Sequence, residues 1–225
     1  MAPFEHRRWI LLAALLAATP CAAGTIRGTV RVPGGAGAEA PHMQGYPGSA
    51  GAMPGMHSAL RGRVSDAVVY VSQISATAES ALAAIPAPRP RLAQKKEASV
   101  PRVVPVAVGT AVDFPNMDPI YHNVFSLSPV KRFDLGKYPR GQSKAVVFNR
   151  TGLVNVYCDI HSEMAAFVLV LPHHAFVQPR GDGSFELTGL PPGRYELHVW
   201  HPDLNEIVRT VDVGRQGESR VDLSF

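Results

Sequence analysis

The 225-residue sequence predicts an all-β protein built as two β-sandwiches, one larger and one smaller. Three observations carry this. Twenty Gly and 20 Pro accompany many Val, a composition of short strands and tight turns rather than helices. From about residue 91 onward, segments of alternating apolar and polar residues follow at short intervals. Turn signals separate them at Gly109-Thr110, Asn116 to Pro119, Pro139 to Gly141 and Gly152.

Residues 1–23 read as an export signal. Arg7 and Arg8 form a positive start, an apolar run of ten residues spans 9–18, and Cys21-Ala22-Ala23 offers a small-residue cleavage site. The run is too short to cross a bilayer, and nothing later is long and apolar enough. Pro20 stands where a lipoprotein signal carries a small residue before its Cys. The chain is therefore expected to be cut near Ala23 and to work as a soluble protein in the periplasm or otherwise outside the cytoplasm.

Residues 24–74 contribute strands at 25–32, where apolar and polar residues alternate, and at 67–71. Between them, 33–60 is an aperiodic run of Gly, Ala, Pro, Met and His, read as a flexible loop. Residues 75–90 form a linker. Ala, Glu and Leu favour a short helix over 76–84, and Pro86, Pro88 and Pro90 stiffen the rest of the linker. Residues 91–172 hold candidate strands at 103–108, 111–114, 122–127, 144–149, 152–158 and 166–171. Residues 173–225 add strands at 184–187, 195–200 and 220–225, with a turn at 189–193. About 50 residues are few for an independent sandwich. The two chain ends are therefore expected to form one sandwich, with the larger one inserted between them.

Charge excludes one class of partner. Lys and Arg number 22 against 18 Asp and Glu. Removing residues 1–23 takes Arg7, Arg8 and Glu5, leaving 20 against 17, scattered and without a basic stripe. No nucleic-acid footprint is present. Signal removal also takes Cys21 and leaves Cys158 as the single thiol. A lone Cys in an exported protein forms no internal disulfide. It is either a buried, inert side chain or a metal ligand.

The second reading has support at once. Cys158 opens a Cys-x-x-His-x-x-Met run that includes His161 and Met164, and His122 lies 36 residues earlier. Two imidazoles, one thiolate and one thioether make the donor set of a blue-copper electron-transfer site. Alternation places Val154, Val156 and Cys158 on one strand face, and His122, Val124 and Ser126 on another. Zn would accept three of these donors, but structural Zn sites normally lack Met. A paired-copper centre needs a second Cys.

With these motifs in view, residues 91–172 resemble a cupredoxin, of the plastocyanin, pseudoazurin and amicyanin group. The matching features are Asp113-Phe-Pro-Asn-Met-Asp, His122-Asn-Val, and Tyr157-Cys-x-x-His-x-x-Met, whose short final spacing is most similar to amicyanin. Ile160 and Ser162 flank His161 where many relatives carry Pro. The resemblance implies a Greek-key sandwich holding one type 1 copper. His122, Cys158 and His161 would be strong ligands and Met164 the axial one. It also implies that Asn123 ties the ligand loops together and that Tyr157 lies on the electron path. Asp134-Leu-Gly-Lys-Tyr-Pro-Arg-Gly is similar to a methylamine-utilisation-like subgroup. The ends resemble a carboxypeptidase-regulatory, transthyretin-like sandwich, through Gly28-Thr-Val, Asp66-Ala-Val-Val-Tyr-Val and Asp182-Gly-Ser-Phe-Glu-Leu-Thr-Gly-Leu-Pro-Pro-Gly-Arg-Tyr-Glu-Leu.

The expected function is single-electron transfer between redox protein partners, with no catalysis, no small-molecule substrate and no membrane span. The alternative is a periplasmic copper-binding or delivery protein that uses His42, Met43, Met53, Met56 and His57 in the loop. A third reading makes the copper structural in an interaction protein. His173, His174, His198 and His201 read as polar surface positions, and Glu163 as a solvated carboxylate.

Overall fold

The computed structural model describes residues 23–33, 62–162, 164–214 and 217–225. The expected signal segment, apart from Ala23, the Met/His set at 42–57 and Glu163 lie outside the described residues. In chain order the strands are β1 (Gly24–Arg31), β2 (Val68–Val71), β3 (Ala93–Gln94), β4 (Ser99–Val100), β5 (Val103–Ala107), β6 (Ala111–Pro115), β7 (Phe125–Ser126), β8 (Phe133–Asp134), β9 (Ser143–Val147), β10 (Gly152–Tyr157), β11 (Ala165–Leu171), β12 (Phe176–Val177), β13 (Ser184–Leu190), β14 (Gly193–His201), β15 (Leu204–Val213) and β16 (Glu218–Ser224). One helix, α1 (Ala76–Ala83), and a 3-10 turn (Val64–Asp66) complete the described elements. The protein is all-β, and among the described residues no helix is long and apolar enough to cross a membrane.

Strands from the two ends of the chain pair with each other. β1 lies between β13, antiparallel, and β16, parallel, and a second sheet runs β12-β2-β14-β15. Alternation on these strands sends Ile26, Val30, Val69, Val71, Phe185, Leu187, Leu197, Val199 and Leu223 into one core. The β1–β16 pair is close enough to exclude any side chain at Gly28. A Cβ there would stand 1.7 Å from the Val221 carbonyl oxygen and 3.1 Å from the Phe185 ring. Gly28→Ala is expected to lower stability by roughly 1–3 kcal/mol through this overlap. The urea midpoint reads it, and an unchanged midpoint would mean that these strands do not pair in this register.

The middle of the chain builds the other sandwich. Its larger sheet runs β5-β11-β10-β7-β8, faced by the β6-β9 pair, with a β3-β4 hairpin beside it. Phe114, Val124, Tyr138, Phe148, Val154, Val156, Val168 and Val170 fill its interior. β11 is a continuous apolar run, and both its faces are covered, as such a run demands. Ala166, Val168 and Val170 face this interior. Phe167, Leu169 and Leu171 face outward, into a third cluster with Val68, Tyr70 and Trp200 of the first sandwich. The two sandwiches thus share a packed seam.

Four expectations need correction. The strand expected at 122–127 shrinks to β7, because His122, Asn123 and Val124 are all buried in succession and do not alternate. His122 instead makes an isolated antiparallel bridge with Tyr138. The turn expected at 189–193 is shorter, since β13 continues to Leu190 and β14 starts at Gly193. β15 is an added strand with no periodic signal, a mostly exposed edge whose first half does not alternate. His173 and His201 are buried rather than surface positions. Each accepts a backbone N–H two residues on, from Ala175 and Asp203 respectively, so its polar ring is partnered inside the fold.

The helix expected in the linker forms over Ala76–Ala83, where Ser75 caps it by accepting the Ala78 N–H at 3.2 Å. Glu79 pins it to the chain before β12, accepting the His174 N–H at 2.8 Å and meeting the His174 ring at 2.6 Å.

Candidate metal centre

The donors reach one point by two routes. β10 alternates, so Val154 and Val156 enter the interior and the next inward position, just past the strand, is Cys158. All three are essentially buried. The chain then turns. The Met164 N–H donates to the His161 carbonyl at 3.0 Å, which closes the loop tightly enough to bring His161 back over the thiol. His122 comes from the other side. Its backbone exchanges two hydrogen bonds with Tyr138, at 3.3 and 3.0 Å, while the Asn116 side-chain amide donates to the Tyr138 and Ile120 carbonyls.

The geometry at that point is specific. Cys158 Sγ lies 3.9 Å from His122 Nδ1 and 3.8 Å from His161 Nδ1. The three donor atoms all lie within 4.8 Å of one another. A thiolate about 2.3 Å and an imidazole nitrogen about 2.0–2.1 Å from one ion, at a roughly trigonal angle, stand about 3.8 Å apart. Both sulfur–nitrogen spacings therefore suit one ion held between the thiol and each imidazole. The two rings sit 4.8 Å apart, tilted by 55°, so they converge on the point rather than stack. His122 is wholly buried, whereas His161 is half-buried. Met164 is fully buried directly after the turn.

The residues around the donors divide into expected and unexpected. Asn123 is buried beside His122, but its Oδ1 has no hydrogen-bond partner, so that oxygen makes no tie between the loops. Tyr157 pairs with Phe125 across β10 and β7, the rings 5.9 Å apart. Its place in the strand puts it on the face opposite Val156, and burial pushes its phenol pKa up.

Asp118 closes the Asp113-Phe-Pro-Asn-Met-Asp motif and stands four residues before His122, but what it touches is set by the fold. Its Oδ2 is 2.9 Å from His122 Nε2. Burial pushes the Asp118 carboxyl up, but the Glu97 and Lys96 N–H groups and the His122 ring outweigh it and hold the carboxyl below its usual value. The i, i+4 spacing of Asp118 and His122 is the sequence signal of this contact.

No family model matches this chain, and no curated protein matches it. Among solved structures, the copper-containing nitrite reductase NirK from Thermus scotoductus SA-01 is 21% identical, with a TM-score of 0.36 over 38% of this chain and 23% of that one. A purple cupredoxin from Nitrosopumilus maritimus is 22% identical, with a TM-score of 0.34, covering 36% of this chain and 98% of that one. A reduced amicyanin mutant is 18% identical, with a TM-score of 0.35, covering 45% and 97%. This chain thus spans under a quarter of the reductase and nearly all of the two smaller proteins.

Proposed function

We propose that this protein is an exported type 1 copper protein that carries single electrons between redox protein partners. The observation that supports it is the convergence of Cys158 Sγ with two imidazole Nδ1 atoms at a spacing suited to one ion. His122, Cys158 and His161 would hold the metal, with Met164 as a weaker fourth donor. Bound copper supplies a one-electron Cu(I)/Cu(II) couple. The chain's own part is to hold the donors still. Three of them sit on or beside a two-sandwich scaffold with little freedom to rearrange, which suits one-electron transfer. His161 offers the edge through which electrons enter or leave. Exposed apolar residues lie next to the donors in sequence: Ile160 beside His161, and Met117, Ile120 and Tyr121 ahead of His122. They suit transient contact with another protein, and the reading assigns the chain no substrate and no reaction of its own.

Titration of the metal-free protein with Cu(II) tests this. One equivalent should give an intense visible thiolate-to-copper band and a reversible one-electron wave. Colourless protein that takes only Cu(I), or only Zn, would sink the proposal.

A further inference from the structure

The β3–β4 hairpin turns through Lys96 and Glu97, both with positive φ, 55° and 54°. Lys95 and Ala98 close it with paired backbone hydrogen bonds, at 2.9 and 3.3 Å. Two central residues at φ > 0 define the type I′ turn, which ordinarily selects Asn and Gly. Lys and Glu have no intrinsic reason to adopt it. What holds them there is outside the hairpin. Both of their N–H groups point at one carboxylate: Lys96 donates to Asp118 Oδ1 at 2.5 Å and Glu97 to Asp118 Oδ2 at 2.8 Å. Successive amides in such a turn form a concave anion seat.

The carboxylate is fixed from behind as well. The Asp118 N–H donates to Asn116 Oδ1 at 2.9 Å, and the Met117 N–H donates to the Gln94 carbonyl of β3 at 2.9 Å. Backbone amides only donate, so Asp118 faces them as a pure acceptor. Its remaining contact, His122 Nε2, then brings the proton, and in the neutral ring this leaves Nδ1 with its lone pair facing Cys158.

We propose that Asp118, seated on the Lys96 and Glu97 amides, is the positioning residue of the metal centre: it locks His122 as the Nε2–H tautomer and presents a bare Nδ1 to Cys158 and His161. The hairpin, which contributes no ligand, is then part of the site. The inference rests on the copper reading for its purpose but not for its geometry, and the two can fail separately.

Imidazole 15N NMR of the metal-free full-length protein, at about pH 8 where an ordinary His is neutral, reads the tautomer directly. The His122 signals are identified by their loss in His122→Gln. The wild type should show Nε2–H alone. Asp118→Ala should mix the tautomers, speed hydrogen exchange at the Lys96 and Glu97 amides, and weaken copper binding about 10–100-fold, the usual effect of losing such a partner. Asp118→Asn should rescue the tautomer and most of the affinity. Its Oδ1 can take the two-donor position and leave only the Lys96 N–H unpaired. A wild-type His122 protonated at Nδ1 overturns the proposal without any variant, so misfolding of Asp118→Ala does not protect it. So does Asp118→Ala with tautomer and affinity both unchanged. If the tautomer follows Asp118 but no form binds copper, the positioning stands and the copper reading falls.

Discussion

Cys158→Ala is expected to abolish both the visible band and the one-electron wave of the copper-loaded protein while the fold survives. The band is a thiolate-to-copper transition, and Cys158 is the single described Cys, buried and unpaired. No other soft anionic donor stands within the cluster, whose other members are the imidazoles of His122 and His161. Two imidazoles alone still bind copper, but more weakly and without that band. Removing one sulfur atom from a buried position costs about 1 kcal/mol, an amount a chain of this size tolerates. Circular dichroism and the unfolding midpoint establish that the fold is intact, and absorption then reads the site. Met164→Leu is the informative contrast. It conserves volume, so it should keep the band and shift the potential, because the weak axial donor tunes the couple rather than making the colour. Colour that survives Cys158→Ala would mean the ligand assignment is wrong.

That experiment addresses what the sequence made legible. The Cys158-x-x-His161 spacing and the alternation of β10 rest on neighbours in the chain, and local periodicity reports local geometry. The same holds for β11, expected as a strand at 166–171 and found at Ala165–Leu171. The parts that escaped depend on distant partners. Asp118 acquires its role from Lys96 and Glu97, some 20 residues earlier, and from a turn whose residues are not the ones that usually announce it. β15 is held by its pairing with β14, not by a pattern of its own. Buried polar residues such as His201 look like surface residues in a string of letters, because their partners are set by the fold. The last 50 or so residues make a thin core by themselves, and β1 from the start of the chain pairs with their β13 and β16.

The largest stability effect should come from a residue with no motif around it. Arg102, at the entry to β5, makes a two-pronged bond to Asp203 at 2.7 and 2.8 Å and a third to Asp66 at 3.2 Å. Its side chain is 16% exposed, against 7% and 8% for the two carboxylates. The guanidinium lies 5.2 Å from the Phe167 ring centre, and Phe167 meets Trp200 edge-on at 6.1 Å. Arg102 therefore bridges the seam between the sandwiches at the point where their apolar contact also runs. Asp203 is its main partner. Burial pushes the Asp66 carboxyl up, and Arg102 offsets that only in part; burial pushes Arg102 down, and Asp203 and Asp66 together more than reverse it. Arg102→Ala leaves two buried carboxylates without the guanidinium that hydrogen-bonds both, and is expected to cost about 3–5 kcal/mol. Arg102→Lys keeps the charge but not the fork, and should fall between. The loss should depend on pH in a definite sense. Without Arg102 the Asp66 carboxyl rises further above its unfolded value of about 3.8, so the folded state takes up a proton first. The penalty is then full above the raised folded value and shrinks as the pH falls toward the unfolded one. Adding Asp66→Asn and Asp203→Asn to Arg102→Met should restore much of the stability, since the cost comes from uncompensated charge and not from the missing attraction. Fluorescence of Trp200, the one tryptophan beyond residue 23, reports the seam itself during urea unfolding. A loss below about 1 kcal/mol for Arg102→Ala, or one that does not change with pH, would show that water reaches these carboxylates and that packing of Phe167 against Trp200 holds the seam alone.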